Sequence, residues 1–438
     1  MTTQPTGGAY LPATARALSP LLRGELRGWA ALSIAALAVA GLLAPLLALS
    51  RTPKVQAYLP WQDQEFFYRA LITHVVFSIV VWYLGAFGTL AVLGTARAGR
   101  NGGMRAVFLG PVGLGLGTLG CVFLLLPVLF SWGPPFLNNY VPVVGHPMFH
   151  VGLMALAAGV ALVAVRFLLN LPGGRVEPVD WGIAATAVAY LVALVCFVLA
   201  WFLIPSDTGE ALFYERLFWG GGHVLQFVNT AVMLTGWYLL CEISLGEPPL
   251  RPALFLAVMG SLAVLVLPAP VFYFVFDVLG REHREAFTQL LWYHLTLPPA
   301  VMTVGIAALL FRHRGSLPWS SEAFHGLILS VGLFTLGGLF GFFLGVADTR
   351  TPSHYHAVIA GVNLSTMALY LALLPPLLGR SPGRGRLVRW QFYLYGCGQI
   401  LFSVPNALRM SKLASPTSNN LREDNCWLLG KNPSKPLN

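Results

Sequence analysis

Long apolar runs of about 20 residues recur along this 438-residue chain, from Gly28 to Val404. Each run is long enough to cross a bilayer as a helix, and there are too many of them for a single signal peptide. Hydrophobic residues make up 56% of the chain and charged residues only 10%, against about a quarter in ordinary soluble domains. These features exclude a soluble enzyme and predict an all-α, polytopic transmembrane helix bundle.

Charged and Pro/Gly-rich segments divide the chain into about eleven predicted spans. They lie near residues 28–49, 68–94, 105–131, 147–169, 181–204, 218–241, 253–276, 286–311, 322–346, 355–378 and 388–407. We therefore expect three regions. Residues 1–26 form a cytoplasmic N-terminal segment, residues 27–407 form the bundle, and residues 408–438 form a polar tail that is expected to be disordered.

The arginines indicate which loops face the cytoplasm, because cytoplasmic loops retain positive charge. One alternate set of loops is rich in arginine, and the other is sparse or mixed in charge. The rich set contains Arg16, Arg23, Arg27, Arg97, Arg100, Arg105, Arg175, Arg251, Arg312, Arg314, Arg380, Arg384 and Arg386. This pattern predicts a cytoplasmic N-terminus, in what we expect to be a bacterial plasma membrane. It also explains the net charge of +10 without a nucleic-acid partner.

The histidines, rather than the cysteines, are the candidate ligands of this chain. The five cysteines lie far apart with no CxxC and no CxxCH, so neither a disulfide framework nor covalently attached haem is expected. Five histidines are predicted within about two turns of the outer end of an even-numbered span. They are His74, His223, His294, His354 and His356. A layer of imidazoles from four helices is what haem or metal ligation requires, although any one alone is equally explained as a packing histidine.

His354 and His356 are the most informative pair, because they are separated by one residue. Each residue advances about 100° around a helix, so the two side chains point to roughly opposite faces. One helix with this pair can bind two different centres back to back. A polar, solvated helix start is the alternative explanation of the same SHYH sequence.

Three stretches of the sequence resemble the catalytic subunit of the haem-copper oxidase superfamily, which includes terminal oxidases and nitric oxide reductases. The stretches are LITHVVFSIVVWYLGAFGTL around His74, ERLFWGGGHVLQFVNT around His223, and DTRTPSHYHAVIAGVNL around His354 and His356. The resemblance spans the second to the tenth predicted span. It implies two haems and a second metal, which is copper in oxidases and non-haem iron in nitric oxide reductases.

The resemblance also implies a role for each histidine. His74 and His356 correspond to the axial ligands of a low-spin haem, and His354 corresponds to the proximal ligand of a high-spin haem. His223 corresponds to a ligand of the second metal. His223 and His354 are therefore the residues expected at the catalytic centre.

The chain departs from the family pattern in three places. It has no adjacent histidine pair, so a further ligand of the second metal must be sought at His294 or His283, and we favour His294 because of its depth. Phe227 occupies the position at which many oxidases have a tyrosine, and Tyr293 is the nearest replacement in the sequence. The outer arginine pair of the family is also missing, and Arg281, Arg284 and Arg350 are substitutes on the expected side.

The resemblance predicts a respiratory catalytic subunit that reduces dioxygen. The first alternative is a nitric oxide reductase, and the second is a haem-binding transporter or membrane subunit without catalysis. The electron donor is expected to be a separate cytochrome c, cupredoxin or quinol. Small accessory subunits and the lipid bilayer are the other expected partners.

Overall fold

The structure is a computed structural model. It describes residues 10–52, 54–55, 58, 64–98, 103–138, 141–171, 176–343, 350–381, 383 and 385–413.

Helix follows helix along the described chain. The α-helices are α1 (Tyr10–Ala17), α2 (Pro20–Ser50), α3 (Gln64–Val75), α4 (Trp82–Ala98), α5 (Leu109–Leu129), α6 (Pro147–Asn170), α7 (Pro178–Leu203), α8 (Glu210–Leu245), α9 (Pro252–Val264), α10 (Phe272–Val275), α11 (Arg281–Leu295), α12 (Leu297–Arg312), α13 (Glu322–Gly341), α14 (Arg350–Leu377) and α15 (Arg386–Leu413). A π-helical turn, Val76–Val81, joins α3 to α4, and a 3₁₀ turn, Ala269–Val271, precedes α10. A short antiparallel hairpin of β1 (Pro135–Asn138) and β2 (Val141–Val144) separates α5 from α6.

Ten helical segments of the described chain are long and apolar enough to cross a membrane. This confirms the prediction of a polytopic, all-α membrane protein. The ten segments correspond to the first ten predicted spans. The eleventh predicted span, 388–407, is also helical within α15 but is not among the ten, because residues such as Arg389, Gln391 and Gln399 make it less apolar.

Local chemistry explains several helix boundaries. Ser19 caps α2, because its hydroxyl accepts a hydrogen bond from the N–H of Leu22, and Pro20 occupies the first turn, where a missing N–H costs little. At the other end of the long helix α8, Gly246 has a left-handed backbone conformation with φ 77°. That conformation favours glycine and stops the helix.

The described chain divides into two compact units. The first consists of Met1–Pro318 and Leu369–Pro382, and the second consists of Trp319–Ala368 and Gly383–Asn438. The predicted polar tail, 408–438, overlaps the end of α15, and residues 414–438 lie outside the described residues. Similarly, α1 and the start of α2 lie within the predicted N-terminal segment 1–26.

In the first unit, neighbouring helices pack closely through glycines. Along the contact of α5 with α6, a Cβ atom added to Gly120 would lie 2.6 Å from the backbone nitrogen of Leu156, and one added to Gly113 would lie 2.6 Å from the carbonyl oxygen of Gly159. Small residues allow such close backbone approach between membrane helices. The helix α8 is the most enclosed candidate span, with 89% of its most apolar stretch buried.

A buried ion pair joins α2 to α6 in the first unit. Both terminal nitrogens of Arg166 donate to the carboxylate of Glu25, at 2.9 and 2.5 Å. The side chain of Arg166 is completely buried, and that of Glu25 is 3% exposed. Gly110 of α5 leaves the room that the pair needs, since a Cβ atom there would collide with both side chains.

The second unit contains α13, most of α14 and α15. The hydroxyl of Ser330 donates to the carbonyl oxygen of Gly361 at 2.6 Å and so joins α13 to α14. The amide of Asn363 donates to the phenolic oxygen of Tyr395 at 2.5 Å and joins α14 to α15. These bonds hold the helix that bears the two closely spaced histidines.

Candidate functional site

His74 lies near the end of α3 and is half-buried. Its Nδ1 lies 2.9 Å from the carbonyl oxygen of Ala40 in α2, 34 residues earlier in the chain. A carbonyl oxygen only accepts hydrogen bonds, so Nδ1–H must be the donor. The π-helical turn Val76–Val81 begins two residues later, and such turns are frequent at functional sites.

His223 lies on the buried helix α8, with only 6% of the residue exposed. Its Nδ1 donates to the carbonyl oxygen of Trp219 at 2.6 Å, and the two rings are 4.8 Å apart. Because α8 begins at Glu210 rather than near residue 218, His223 lies more than three turns from the start of the helix. His223 thus lies farther from the start of its helix than the roughly two turns expected, because α8 begins with polar residues before the apolar run.

His283 lies beside His223 in the first unit. It occupies the first turn of α11, is 0% exposed, and has no hydrogen-bond partner on either ring nitrogen. The ring of Phe287 is 5.1 Å from His283 and 6.4 Å from His223, so it lies against both imidazoles. An unbonded, buried imidazole next to His223 is a candidate ligand.

His294, which the sequence favours over His283, has a different setting. It is half-buried near the end of α11, and its Nδ1 donates to the carbonyl oxygen of Leu290 one turn earlier at 3.1 Å. In the described part of the chain, no three His, Cys, Asp or Glu side chains form a group that could hold a metal ion. The assignment of His294 to a second metal stays a prediction.

A tyrosine that sequence reasoning missed, Tyr273, lies beside His283. Tyr293 is 73% exposed, whereas Tyr273 is buried in the short helix α10 with its ring 4.7 Å from that of His283. Phe227 is fully buried on α8. Tyr273 lies ten residues before His283, and only the fold of the intervening turn brings them together, so no spacing rule would have identified it.

In the second unit, His354 and His356 of α14 are held by different neighbouring helices. The Nδ1–H of His354 donates to the carbonyl oxygen of Gly337 in α13 at 2.7 Å. The Nδ1 of His356 lies 3.1 Å from Oε1 of Gln399 in α15, and its ring is 4.0 Å from that of Phe402. The two imidazoles therefore have separate settings, in agreement with the expectation from their spacing.

Four histidines have a haem or metal role implied by the family resemblance, and all four have their hydrogen-bond partner at the same ring nitrogen, Nδ1. His74, His223 and His354 donate from Nδ1 to backbone carbonyl oxygens, and His356 pairs through Nδ1 with an amide oxygen. In a neutral imidazole, a proton on Nδ1 leaves the lone pair on Nε2. Histidines that bind haem iron or another metal commonly have their second nitrogen held in this way. The hydrogen bonds of these four imidazoles are therefore of the kind that haem and metal ligands make.

The fit to a second metal is less complete. His223 and His283 are two neighbouring nitrogen donors, but metal sites with an open position usually have three protein ligands. The described residues offer no third His, Cys, Asp or Glu beside them. The pair accordingly matches part of such a centre.

Two known proteins are similar to this chain over most of its length. The chain is 29% identical to an uncharacterised protein of Aquifex aeolicus (strain VF5) over 356 residues, which cover 80% of this chain and 84% of that protein. It is 24% identical to an uncharacterised protein of Rickettsia prowazekii (strain Madrid E), over 85% of this chain and 84% of the relative.

A solved structure has the same fold. A chain of a haem-copper terminal oxidase dimer, determined by cryo-electron microscopy, matches with a TM-score of 0.72 at 16% identity. The match covers 96% of this chain and 79% of that one.

The family model described as cytochrome c and quinol oxidase polypeptide I matches residues 27–409, which include every histidine discussed above. Members of this family are membrane oxidoreductases that bind haems together with copper or another metal. The chain thus belongs to the cytochrome c and quinol oxidase polypeptide I family, within the haem-copper oxidase superfamily.

Proposed function

We propose that this chain is the catalytic subunit of a respiratory enzyme that reduces dioxygen. The observation that best supports the proposal is the pair His354 and His356, two residues apart on α14 and held through Nδ1 by different helices. This arrangement allows two ligands on one helix to bind two separate centres. Electron transfer between two haems requires such centres to lie close together.

In this proposal, His74 and His356 would hold a low-spin haem, and His354 would hold a high-spin haem. His223 binds a second metal, which is copper or non-haem iron. When bound, the haems supply one-electron transfer and an open iron position for the gas. The residues of the chain fix the tautomers and orientations of the ligands, and the buried surroundings of His223 exclude water from its ring.

For the further ligand of the second metal, we propose to test His294 and His283 together. His294 is the residue that the sequence favours. His283 is supported by its complete burial, its two unbonded ring nitrogens and its contact with Phe287, which also contacts His223. Of the two, His283 has the surroundings that a buried ligand needs.

Nitric oxide reduction is the second candidate reaction, and a specific observation favours it. The position of the oxidase tyrosine is occupied by Phe227, which is buried and has no hydroxyl to donate a proton, and Tyr293 is largely exposed. Coupling of two nitric oxide molecules needs two electrons, whereas dioxygen reduction needs four. The loss of the phenol at the position of Phe227 is therefore less damaging to nitric oxide reduction, whereas Tyr273, whose ring is 4.7 Å from that of His283, is the phenol that dioxygen reduction would use instead.

The proposed enzyme receives electrons from a separate donor and lies in a membrane with accessory subunits. Electrons come from a cytochrome c, a cupredoxin or a quinol, and small accessory subunits complete the enzyme. The membrane is a bacterial plasma membrane with the N-terminus in the cytoplasm. A haem-binding transporter or non-catalytic membrane subunit is the alternative of another class, and it predicts loosely bound haem below one per chain.

An optical spectrum of the purified chain tests the function. We expect two tightly bound haems, of which only one responds to carbon monoxide. His354→Ala should abolish the carbon-monoxide-sensitive signal, and His74→Ala should abolish the low-spin signal. His325→Ala is a matched control, because both ring nitrogens of His325 already have partners, Trp319 O at 2.8 Å and Tyr393 OH at 2.7 Å. A wild type without a carbon-monoxide-sensitive haem would contradict a catalytic role.

Metal analysis and gas consumption separate the two reactions. Copper with dioxygen uptake supports the oxidase, and non-haem iron with nitric oxide uptake supports the reductase. His283→Ala and His294→Ala should then be compared. Loss of the second metal in only one variant identifies the ligand, and we expect turnover to fall by more than the roughly 10–100-fold typical of residues that merely support a ligand.

A further inference from the structure

Two polar contacts join α14 to α15 within the second unit. In the first, Nδ1 of His356 lies 3.1 Å from Oε1 of Gln399. In the second, the amide of Asn363 donates to the phenolic oxygen of Tyr395. Tyr395 precedes Gln399 by four residues on α15, and Asn363 follows His356 by seven on α14, so each helix presents both of its residues on one face. The two contacts are therefore neighbours along one interface.

These contacts leave several hydrogen-bonding atoms unused. Oδ1 of Asn363 is buried without a partner among the described residues, and the whole residue is only 2% exposed. In the same part of the chain, neither the amide nitrogen of Gln399 nor the hydroxyl hydrogen of Tyr395 has an acceptor. Buried polar atoms are nearly always hydrogen-bonded, so the oxygen of Asn363 needs a donor that the neighbouring side chains do not supply.

A water molecule suits this position, because it can accept from an amide N–H and donate to an amide oxygen at the same time. Between the two contacts, α14 carries Ala360, whose methyl group leaves more room than a larger side chain would. A second unpaired oxygen lies on the same face of α15. It is Oγ of Ser403, one turn beyond Gln399, and that residue is 0% exposed. An interface with several such atoms favours bound water.

We propose that an ordered water molecule bridges Gln399 and Asn363, so that one chain of hydrogen bonds links His356 to Tyr395. Every link donates in the same direction: from Nδ1–H of His356 to Gln399, from Gln399 to the water, from the water to Oδ1 of Asn363, and from Asn363 to the phenolic oxygen. Bonds in such a chain polarise one another, so its far end affects the imidazole. Tyr395 is thus a positioning residue for a ligand of the low-spin haem, and in this respect the inference rests on the proposed function.

A double-variant cycle on the melting temperature of the full-length chain in detergent tests the water bridge. Tyr395→Phe removes the phenolic oxygen, Gln399→Leu removes the amide, and the double variant removes both. Because either change breaks the same chain, the double variant should lose less melting temperature than the two single losses together. Tyr393→Phe is the matched control, since its hydroxyl bonds to His325 of α13 at 2.7 Å, and its loss should add to that of Gln399→Leu.

Redox titration of the low-spin haem band tests the effect on His356. Tyr395→Phe should raise the midpoint potential, because a shorter chain leaves the imidazole less electron-rich, and the shift should be smaller than that of Gln399→Leu. In the Gln399→Leu background, Tyr395→Phe should cause no further shift. Tyr393→Phe should leave the potential unchanged. A lower melting temperature with an unchanged potential in Tyr395→Phe would overturn its role as a positioning residue.

Additive melting-temperature losses for Tyr395→Phe and Gln399→Leu would overturn the water bridge. If Tyr395→Phe does not fold, Asn363→Ala, which removes the amide of the same chain, takes its place in the cycle and is judged by the same criteria. A wild type without a low-spin haem would contradict the proposed function but not the bridge, because the melting-temperature cycle does not depend on haem.

Discussion

Arg166 and Arg216 are both almost completely buried in the first unit, yet their surroundings differ. Arg166 donates from both terminal nitrogens to the carboxylate of Glu25, and the pair joins two helices. Arg216 forms no such pair in the described part of the chain, and its Nε and Nη1 are unbonded. Nε of Arg166 is unbonded as well, so the two buried arginines differ in their ion pairing rather than in complete hydrogen-bond satisfaction.

The same comparison applies to the histidines. His325 has a partner on each ring nitrogen and joins α13 to α15. His283 is equally buried but has no partner on either nitrogen. The Glu25–Arg166 pair and His325 form hydrogen bonds that join helices, whereas His283 is a proposed ligand of the second metal. Substitutions in the first group should change stability, and those in the second should change spectra or binding.

The largest effect is expected from breaking the Glu25–Arg166 pair. Arg166→Met leaves the carboxylate of Glu25 buried without its partner, which typically destabilises a protein by about 3–5 kcal/mol. The measurement is the free energy of unfolding, or the melting temperature, in detergent. Arg312→Met is the control, because the Arg312–Glu247 pair is largely exposed and such pairs contribute roughly 0–1 kcal/mol.

The double variant Glu25→Gln with Arg166→Met sharpens this prediction. Removing both charges avoids an uncompensated buried ion, so the double variant should be more stable than Arg166→Met alone. If Arg166→Met and the double variant were both as stable as the wild type, the pair would not be structural. The comparison with Arg216 would then lose its basis.

A smaller loss of stability is expected when Gly341 of α13, which lies against His354, is substituted. A Cβ atom at this position would lie 3.0 Å from Cε1 and 3.1 Å from Nδ1 of the imidazole. Gly341→Ala should displace the ring at a cost of about 1–3 kcal/mol and weaken the carbon-monoxide-sensitive haem signal.

Gly338→Ala is the matched control for this variant. Its added Cβ atom would meet nothing within 4 Å, so it should leave the spectrum unchanged and gain up to about 1 kcal/mol of helix propensity. An unaltered carbon-monoxide difference spectrum in Gly341→Ala would mean that His354 is not a ligand in this position.

The sequence predicts the membrane spans well, because the length of an apolar run determines whether it can cross a bilayer. The span predicted at 147–169 is Pro147–Asn170, and that at 181–204 is Pro178–Leu203. The largest shifts among the predicted starts are in α2 and α8, which each begin eight residues before the predicted 28 and 218, because their first turns contain charged residues and give little hydropathy signal. Hydropathy locates the membrane-embedded part of a helix rather than its full length.

The arrangement of residues in the candidate site is harder to predict from the sequence than the membrane spans are. The spacing of His354 and His356 correctly indicates two separate settings, because helix geometry alone determines it. The proximity of His283 to His223 depends on how the segment between α10 and α11 turns, and no periodicity encodes that turn. Likewise, Glu25 and Arg166 are 141 residues apart. The seven-residue spacing of Arg216 and His223 on α8 was the one available signal for the unpaired arginine.

The smallest change in stability is expected when Gln399 is substituted. Its amide oxygen lies 3.1 Å from Nδ1 of His356. This oxygen makes the imidazole more electron-rich and so favours the oxidised state of an iron bound at the other nitrogen. Gln399→Leu should therefore raise the midpoint potential of the low-spin haem, while Gln399→Glu should lower it.

Redox titration of the low-spin haem band is the measurement, with Gln391→Leu as the control because Gln391 is exposed on the same helix. Stability should change little in the three variants, since a single net hydrogen bond contributes about 0.5–1.5 kcal/mol. Equal potentials in Gln399→Leu and Gln399→Glu would show that the amide only packs against His356. In that case His356 would belong with His325 among the structural histidines, and the distinction between satisfied and available imidazoles would have to be redrawn.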